Sequence, residues 1–169
     1  PDIVAVFGAD HVYKMDLRPM INYHLDNKAS VTVAAIPVPR EEASRFGCIA
    51  MDDKLRMTGF LEKPANPPEI PGRPGWTLAS MGNYLFNANV LTREAENDAI
   101  TASSSHDFGG DILPRLFERE PVVVYDFHTN MIRGEDERAR GYWRDIGTIP
   151  SFHEASIDLT IPLPPLNLY

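Results

Sequence analysis

The sequence predicts an α/β fold, and three observations favour it. The chain opens on a continuous apolar run, Ile3–Phe7, which is typical of a strand buried on both faces of a parallel sheet. A helical pattern begins after Asp16, and a second apolar strand covers residues 30–38. Because a strand, a helix and a strand in succession form the unit of an α/β sheet, we expect one mixed, mostly parallel sheet with helices packed on it.

The first helix has clear start signals. Asp16 is an N-cap residue by type, and Pro19 falls in the first turn, where its missing N–H costs little. Apolar positions recur at helical spacing and form one face, namely Leu17, Met20, Ile21, His24 and Leu25. The second strand closes at Pro37 and Pro39.

The middle of the chain predicts a hairpin and a long loop. Residues 47–51 and 55–61 flank Asp52-Asp53-Lys54, which is typical of two antiparallel strands joined by a turn. Five of the fifteen prolines fall within residues 64–77, and a loop of that length is more often functional than idle. A strand over residues 80–86 and a short helix over 89–96 follow.

The last third predicts two capped helices and two strands. The first helix is capped by residues 103–107, and the second by Thr148 with Pro150 in its first turn. The strands cover residues 122–127 and 143–146, and the mixed charges of 133–140 indicate a solvated loop. The apolar faces are predicted at Phe108, Ile112, Leu113, Leu116 and Phe117 in the first helix, and at Ile149, Phe152, Ser156 and Leu159 in the second.

Composition excludes several classes of protein. The 169 residues carry 16 Lys and Arg against 24 Asp and Glu, a net charge of −8 that argues against nucleic acid or an anionic membrane as partner. No apolar run reaches the length of a membrane span, and no signal peptide opens the chain. A single cysteine, Cys48, excludes an internal disulfide and a cysteine-based zinc site, so we expect a reducing, cytoplasmic type of compartment.

Common catalytic motifs are also missing from the sequence. It contains no Gly-x-Ser-x-Gly elbow, no Walker A loop and no dinucleotide-binding Gly-x-Gly-x-x-Gly. The five histidines do not pair at metal-ligand spacing, and Cys48 lies in a predicted strand, which favours a core position over a nucleophile. These absences argue against a hydrolase, a kinase and a dehydrogenase.

Two aspartates are candidate metal ligands. Asp10 follows the first strand and Gly8, and Asp145 ends the last short strand before Gly147 and a helix. Because ligands of α/β proteins bind beyond the carboxyl ends of strands, the two carboxylates suit Mg²⁺ together with substrate phosphates. Spacing alone leaves a second interpretation open, in which each aspartate is a cap or a turn residue.

Three further positions carry polar groups at predicted element ends. Lys63, beside Glu62, offers a point charge for a phosphate, although a surface lysine next to a glutamate is the plainer interpretation of the pair. Ser80 opens a strand beside the proline loop and could bond a sugar or a phosphate, or only begin the strand. The His106-Asp107 pair could act in acid–base chemistry, but helix capping by Asp107 is the plainer interpretation.

Five blocks of sequence resemble one family in order along the chain. Residues 8–16 (GADHVYKMD) and 60–67 (FLEKPANP) resemble segments of the sugar-nucleotide pyrophosphorylases. Residues 80–86 (SMGNYLF), 104–109 (SSHDFG) and 142–148 (YWRDIGT) are similar to the ADP-glucose branch of that family, the ADP-glucose pyrophosphorylases or glucose-1-phosphate adenylyltransferases. The resemblance covers nearly the whole chain, and the last two blocks are the most specific.

The resemblance implies a reaction and a set of roles. The fold would be a Rossmann-like mixed, mostly parallel sheet of the nucleotide-diphospho-sugar transferase (GT-A-like) type, present as a partial domain. The reaction would join ATP and glucose 1-phosphate into ADP-glucose and pyrophosphate, with Mg²⁺ held by Asp10 and Asp145. The catalytic residues would be Asp10, Asp145 and Lys63. The sugar-phosphate site would comprise Gly47, Glu62, Lys63 and Ser80, with Tyr84, Asp107, Phe108 and Trp143 as further substrate-side groups.

The sequence departs from the family pattern at both ends. It lacks the Gly-Gly-x-Gly-x-Arg-Leu loop that cradles the ATP phosphates, and it begins at Pro1 and stops in a proline-rich tail. We therefore expect the central and C-terminal part of a catalytic domain over residues 1–161, and over 162–169 a linker toward a left-handed β-helix domain. In its full-length form the protein would be a homo-tetramer in the bacterial cytoplasm or the plastid stroma.

Two other functions remain compatible with the sequence. One is a uridylyl- or thymidylyltransferase that acts on the same sugar phosphate. The other is a non-catalytic, regulatory relative that binds sugar phosphate or a partner subunit.

Overall fold

A computed structural model describes residues 2–134 and 137–166. The described residues form eight strands and four α-helices, in the order that the sequence predicts apart from an additional strand at His11–Tyr13. The strands are β1 Ile3–Phe7, β2 His11–Tyr13, β3 Val31–Pro39, β4 Gly47–Met51, β5 Met57–Glu62, β6 Trp76–Asn87, β7 Val122–Asp126 and β8 Trp143–Asp145. The helices are α1 Leu17–Asp26, α2 Ala88–Ala99, α3 Leu113–Leu116 and α4 Ile149–Asp158.

Six strands form one mixed sheet, and β2 and β8 form a separate two-stranded ribbon. The order in the large sheet is β5-β4-β6-β3-β7, with β1 also paired to β6. Only β3 and β7 run parallel, while the other pairings within the described residues are antiparallel. The α/β class and the mixed sheet are confirmed, but the expectation of a mostly parallel sheet is wrong for these residues, since β6 runs against each of its neighbours.

Strand β6 organises the molecule because it is long enough to serve three partners. One edge pairs with β3 over most of its length. The other edge pairs with β4 at Leu78 and Ala79, and with β1 from Asn83 to Asn87. Between these two stretches, residues 80–82 face the start of β4 and the end of β1, and the two strands leave an opening there.

The expected burial of β1 on both faces is wrong. Val4 and Phe7 are each 36% exposed, and the described part of the chain pairs β1 on one edge only, with β6. An apolar run identifies a strand, but it cannot tell how many neighbours cover it.

Each face of the large sheet carries its own core. Because side chains alternate along a strand, Val31 and Val33 of β3 pack on the face covered by α2 and α3, and Ala34 and Ile36 pack on the face covered by α1. Cys48 is fully buried, which confirms its predicted place in the core. This burial raises the pKa of its thiol.

The N-caps of α1 and α4 are confirmed. The Asp16 carboxylate accepts a hydrogen bond from the Arg18 N–H, and Thr148 and Ser151 form a reciprocal capping box.

The predicted apolar face of α4 is not the buried one. Ile149 is 86% and Phe152 57% exposed, whereas Ser151 and Ala155 are buried. Docking of the helix beside β8 selects the side with small residues, which allows close approach.

The other described segments comprise 3-10 turns at Arg40–Arg45, Phe127–Thr129 and Glu137–Ala139, a π-helical turn at Phe108–Ile112, and irregular loops. Beyond β5 the proline loop runs without a strand until β6 begins at Trp76, four residues earlier than predicted. Residues 135 and 136 of the loop predicted at 133–140 lie outside the described residues. The same holds for residues 167–169 of the predicted linker. Within the described ranges no helix is both long and apolar enough to cross a membrane.

Candidate functional site

A cleft of about 410 Å³ opens where β1 and β4 separate along β6. Five stretches of chain that are distant in sequence line it: the turn from β1 into β2, the hairpin β4–β5 with the two residues before it, the middle of β6, the turn before α3, and β8. Eight of the ten predicted site residues lie on its wall, namely Asp10, Gly47, Glu62, Ser80, Tyr84, Asp107, Trp143 and Asp145.

The β2–β8 ribbon brings the two candidate metal ligands together. His11 is paired with Asp145 across the ribbon, and the Ile146 N–H donates to the Asp10 carbonyl at 3.3 Å. One ligand atom from each of Asp10, His11 and Asp145 lies within 4.8 Å of the others. The predicted meeting of the two aspartates is thus present, but antiparallel pairing of two short strands produces it instead of the carboxyl edge of a parallel sheet.

The two carboxylates differ in surroundings. The Asp145 carboxylate is half-buried and accepts a hydrogen bond from the Gly147 N–H at 2.9 Å, which orients it. The Asp10 side chain is 70% exposed and faces the open cleft. One oriented and one accessible carboxylate can hold a hard divalent cation while leaving room for substrate oxygens.

His11 is a site residue that sequence reasoning missed. Its Nε2 lies 3.6 Å from the Asp10 carboxylate, and its ring meets the Trp143 ring edge-on at 5.2 Å. Its Nδ1 is buried and has no hydrogen-bond partner among the described residues. A Cβ on Gly8 would come within 3.2 Å of the ring, so the glycine makes room for the histidine. The spacing of histidines gave no signal, because the partners of His11 are aspartates and a tryptophan.

The hairpin supplies a second wall. Gly47 of β4 is paired with Glu62 of β5, and the Glu62 side chain is 56% exposed beside the cleft. A Cβ on Gly47 would fall 2.4 Å from the Phe60 ring, so this position accommodates Phe60 only because it lacks a side chain. Phe60 was not among the predicted residues.

The middle of β6 forms the floor. The Gly82 N–H donates to the Ser80 hydroxyl at 3.3 Å, and Gly82 adopts a left-handed backbone with φ of +67°. Burial raises the pKa of Tyr84, and the negative charges of Asp107 and Glu62 raise it further. A hydrogen bond with Ser80 lowers the pKa but does not outweigh these effects. Tyr84 therefore stays protonated at neutral pH and can donate a hydrogen bond.

Asp107 both caps a helical turn and faces the cleft. Its carboxylate accepts a hydrogen bond from the Gly110 N–H at 2.6 Å, at the start of a π-helical turn, Phe108–Ile112, that leads into α3. The two interpretations of this residue, a cap and a site residue, are compatible in the same geometry.

Two predicted residues do not line the cleft. Lys63 stands at its rim, where Nζ lies 3.7 Å from the Glu62 carboxylate and the backbone is left-handed with φ of +44°. Phe108 packs against the rings of Tyr84 and Phe86, at centroid distances of 5.8 and 5.6 Å, and so supports the wall from behind.

A cation on the wall was also missed. Arg45 lines the cleft, with its guanidinium 5.2 Å from the centre of the Phe46 ring. It lines the same cleft as the Asp10 and Asp145 carboxylates and can balance a bound phosphate. Its position directly before Phe46-Gly47, at the start of the hairpin, is the signal that could have found it.

Relatives of known sequence match the whole chain. A glucose-1-phosphate adenylyltransferase 1 of Vibrio parahaemolyticus is 53% identical over all of this chain and 41% of its own length. A glucose-1-phosphate adenylyltransferase of Nocardia farcinica is 53% identical over all of this chain and 42% of its own length. The chain thus spans about two fifths of the length of these relatives. The match lies in their N-terminal part, so the expected central and C-terminal placement is wrong.

Solved structures share the fold. HddC from Yersinia pseudotuberculosis superposes with a TM-score of 0.61 over 90% of this chain and 53% of that protein, at 16% sequence identity. At this identity the comparison speaks for the fold alone.

The family assignment rests on residues 1–161, which match the nucleotidyl transferase family and include both the mixed sheet and every residue of the cleft. The chain therefore belongs to the nucleotidyl transferase family.

Proposed function

We propose that this chain carries the sugar-phosphate side of an enzyme that transfers an adenylyl group from ATP to α-D-glucose 1-phosphate, which yields ADP-glucose and pyrophosphate for glycogen or starch synthesis. The observation that carries the proposal is that one cleft gathers eight residues selected from the sequence on five separate stretches of chain. The names of the relatives at 53% identity support the choice of substrates.

The chemistry needs positioning more than proton transfer. An oxygen of the sugar phosphate attacks the α-phosphorus of ATP in line, and pyrophosphate leaves. A phosphate is already ionised at neutral pH, so no side chain has to remove a proton from the nucleophile. The cleft agrees with this requirement, since its hydroxyls, carboxylates and one guanidinium can orient a substrate, and catalysis then comes from alignment and charge balance.

Mg²⁺ fits the donors that the cleft presents. Members of this family generally use the ion, and the cluster of Asp10, His11 and Asp145 provides two carboxylates at one side of the cleft. Asp145, oriented by Gly147, and the accessible Asp10 would hold the ion. When bound, it would neutralise charge on the phosphates of both substrates.

The other wall suits a sugar phosphate. Glu62 and Asp107 can accept hydrogen bonds from sugar hydroxyls, and Tyr84, kept protonated by its burial, can donate one. Ser80 also lines the cleft and can bond a sugar or a phosphate. Arg45 on the wall and Lys63 at the rim would meet the phosphate, Lys63 after a rotation away from Glu62.

The proposal extends to assembly and location. We propose a homo-tetramer for the full-length protein, with residues 1–161 in its catalytic domain and 162–169 leading toward a β-helix domain. The setting would be the bacterial cytoplasm or, in a plant, the plastid stroma.

A binding experiment tests the sugar-phosphate site. Titration calorimetry with glucose 1-phosphate in the presence of Mg²⁺ should show binding to the chain, and Glu62→Gln should weaken it by about tenfold, because a charge-assisted hydrogen bond is lost. Glu96→Gln is the matched control, since Glu96 is exposed on α2 away from the cleft. Absence of glucose 1-phosphate binding, or equal weakening by both variants, would contradict the proposal.

A turnover assay identifies the nucleotide substrate. Pyrophosphate release by the full-length gene product should be fastest with ATP. Preference for UTP or dTTP would indicate a different nucleotidyl transfer to the same sugar phosphate, and binding of glucose 1-phosphate without any turnover would indicate a regulatory relative.

A further inference from the structure

The turn that carries Asp107 into the cleft is held from behind by a buried carboxylate. Asp98, near the end of α2, has a side chain only 5% exposed and lies outside the cleft. It accepts hydrogen bonds from the Ser104 hydroxyl at 2.7 Å, from His106 Nδ1 at 2.7 Å and from the Arg115 guanidinium. Helix α2, the turn at residues 104–106 and α3 thus meet at one side chain.

The backbone of this turn adopts a conformation that needs support. His106 has a φ of +62°, in the left-handed region that non-glycine residues rarely adopt. Its N–H donates to the Ser104 hydroxyl at 3.1 Å, and that hydroxyl in turn donates to Asp98. The local strain is therefore offset by bonds that converge on Asp98.

The next residue is the one that faces the cleft. The Asp107 N–H and the Ser105 hydroxyl both donate to the Asp111 carboxylate, at 3.1 and 2.6 Å, while the Asp107 carboxylate accepts from Gly110. Asp111 fixes the turn from the helical side and Asp98 fixes it from the α2 side. A shift of His106 would pass directly to Asp107, because the two are adjacent.

We propose that Asp98 and His106 are positioning residues of the sugar-phosphate site, in which their hydrogen bond holds the 104–106 turn so that Asp107 faces the bound sugar. The inference rests on the proposed function for the identity of the ligand. The low pKa of the Asp98 carboxyl, held well below its ordinary value by Ser104, His106 and Arg115, keeps it ionised throughout the neutral range.

Two substitutions of His106 distinguish the effect of its hydrogen bond to Asp98 from the effect of its left-handed backbone. His106→Gly accepts the left-handed backbone but removes the bond to Asp98. His106→Asn also tolerates this backbone and keeps an amide nitrogen at the position of Nδ1, one bond from Cγ. His153→Ala is the control, because His153 is an exposed histidine on α4 and does not line the cleft.

Glucose 1-phosphate affinity is the first readout. We expect His106→Gly to weaken it by about tenfold, because a small misplacement of a substrate-orienting group has a large effect. We expect His106→Asn and His153→Ala to bind as the unaltered chain does. Equal affinity of His106→Gly and the unaltered chain would overturn the inference, and so would equal weakening by His106→Gly and His106→Asn.

Amide hydrogen exchange is the second readout and needs no ligand. The Gly110 N–H, which is bonded to the Asp107 carboxylate, should exchange faster in His106→Gly and at an unchanged rate in His106→Asn. Unchanged exchange in both variants would overturn the positioning role. Failure of the unaltered chain to bind glucose 1-phosphate would instead count against the proposed function, and the exchange rates would still decide whether the turn is held by this bond.

Discussion

At the residue scale, Gly47 illustrates how one missing side chain shapes the cleft. A Cβ there would lie 2.4 Å from Phe60 Cζ and 3.0 Å from the Glu62 carboxylate. A Cβ on Gly109 would also come within 2.8 Å of Phe60 Cζ. The tip of the Phe60 ring is therefore close to two glycines, and their lack of side chains lets the ring reach the cleft.

We predict that Gly47→Ala lowers the free energy of unfolding by about 1–3 kcal/mol, because the added methyl displaces the Phe60 ring. The cost should become smaller in a Phe60→Leu background, which removes the tip of the ring. Urea unfolding of the two single variants and the double variant measures this coupling.

Gly59→Ala is the control for the change from glycine. Its Cβ would lie 3.4 Å from Ala50, an ordinary contact, so little destabilisation is expected. Additive effects of Gly47→Ala and Phe60→Leu would show that the ring is not what the glycine accommodates.

At the element scale, short elements were harder to predict than long ones. The start of α1 was predicted correctly because its cap, its proline and its apolar spacing lie within ten residues of one another. Strand β2 was missed, since three residues give no periodicity, yet its pairing with β8 brings the candidate metal ligands together. Helix α4 was placed correctly along the chain, but its buried face was not.

We predict that the exposed face of α4 contributes little to the stability of this chain. Phe152→Ala should change the free energy of unfolding by less than about 0.5 kcal/mol, as is usual for exposed positions. Ala155→Leu should lower it by about 1–3 kcal/mol, because Ala155 is 3% exposed and the larger side chain has no space. Thermal and urea unfolding of both variants measure the difference, and a larger loss for Phe152→Ala would contradict the observed docking of the helix.

At the scale of the whole molecule, Glu120 connects parts of the chain that are far apart in sequence. Its carboxylate accepts hydrogen bonds from the Ser30 hydroxyl at 2.7 Å, next to β3, and from the Arg93 guanidinium of α2 at 2.8 Å. Both bonds favour the ionised form and hold the pKa of Glu120 below its ordinary value of 4.5.

We predict an acid-sensitive contribution from this contact. A carboxyl whose pKa is lowered by folding stabilises the folded state above its unfolded pKa, and this stability is lost as the pH falls through the folded pKa. Glu120→Gln should therefore be less stable than the unaltered chain near pH 7, and the gap should narrow below about pH 4. Urea midpoints across this range measure it, with Glu96→Gln as the exposed control. A gap that does not change with pH would contradict the assignment.

Most of the predicted site residues line the cleft, but their arrangement in space was not predictable from the sequence. Sequence blocks selected Asp10, Glu62, Ser80 and Asp107, because residue type and neighbouring residues carry that information. His11 and Arg45 were missed because their importance lies in contacts with residues distant in the chain. Phe108 was included for its neighbours in sequence, but its ring belongs to the packing behind the cleft.

The sequence by itself determined the local elements, the caps at Asp16 and Thr148, and the α/β class, since capping and periodicity depend on residues a few positions apart. Only the tertiary structure decided the direction of strand pairing, the buried face of α4 and the meeting of Asp10 with Asp145. These features depend on which surfaces bury each other when distant segments pack. The free energy of this burial arises between elements that are far apart in the sequence, so no single stretch of sequence determines it.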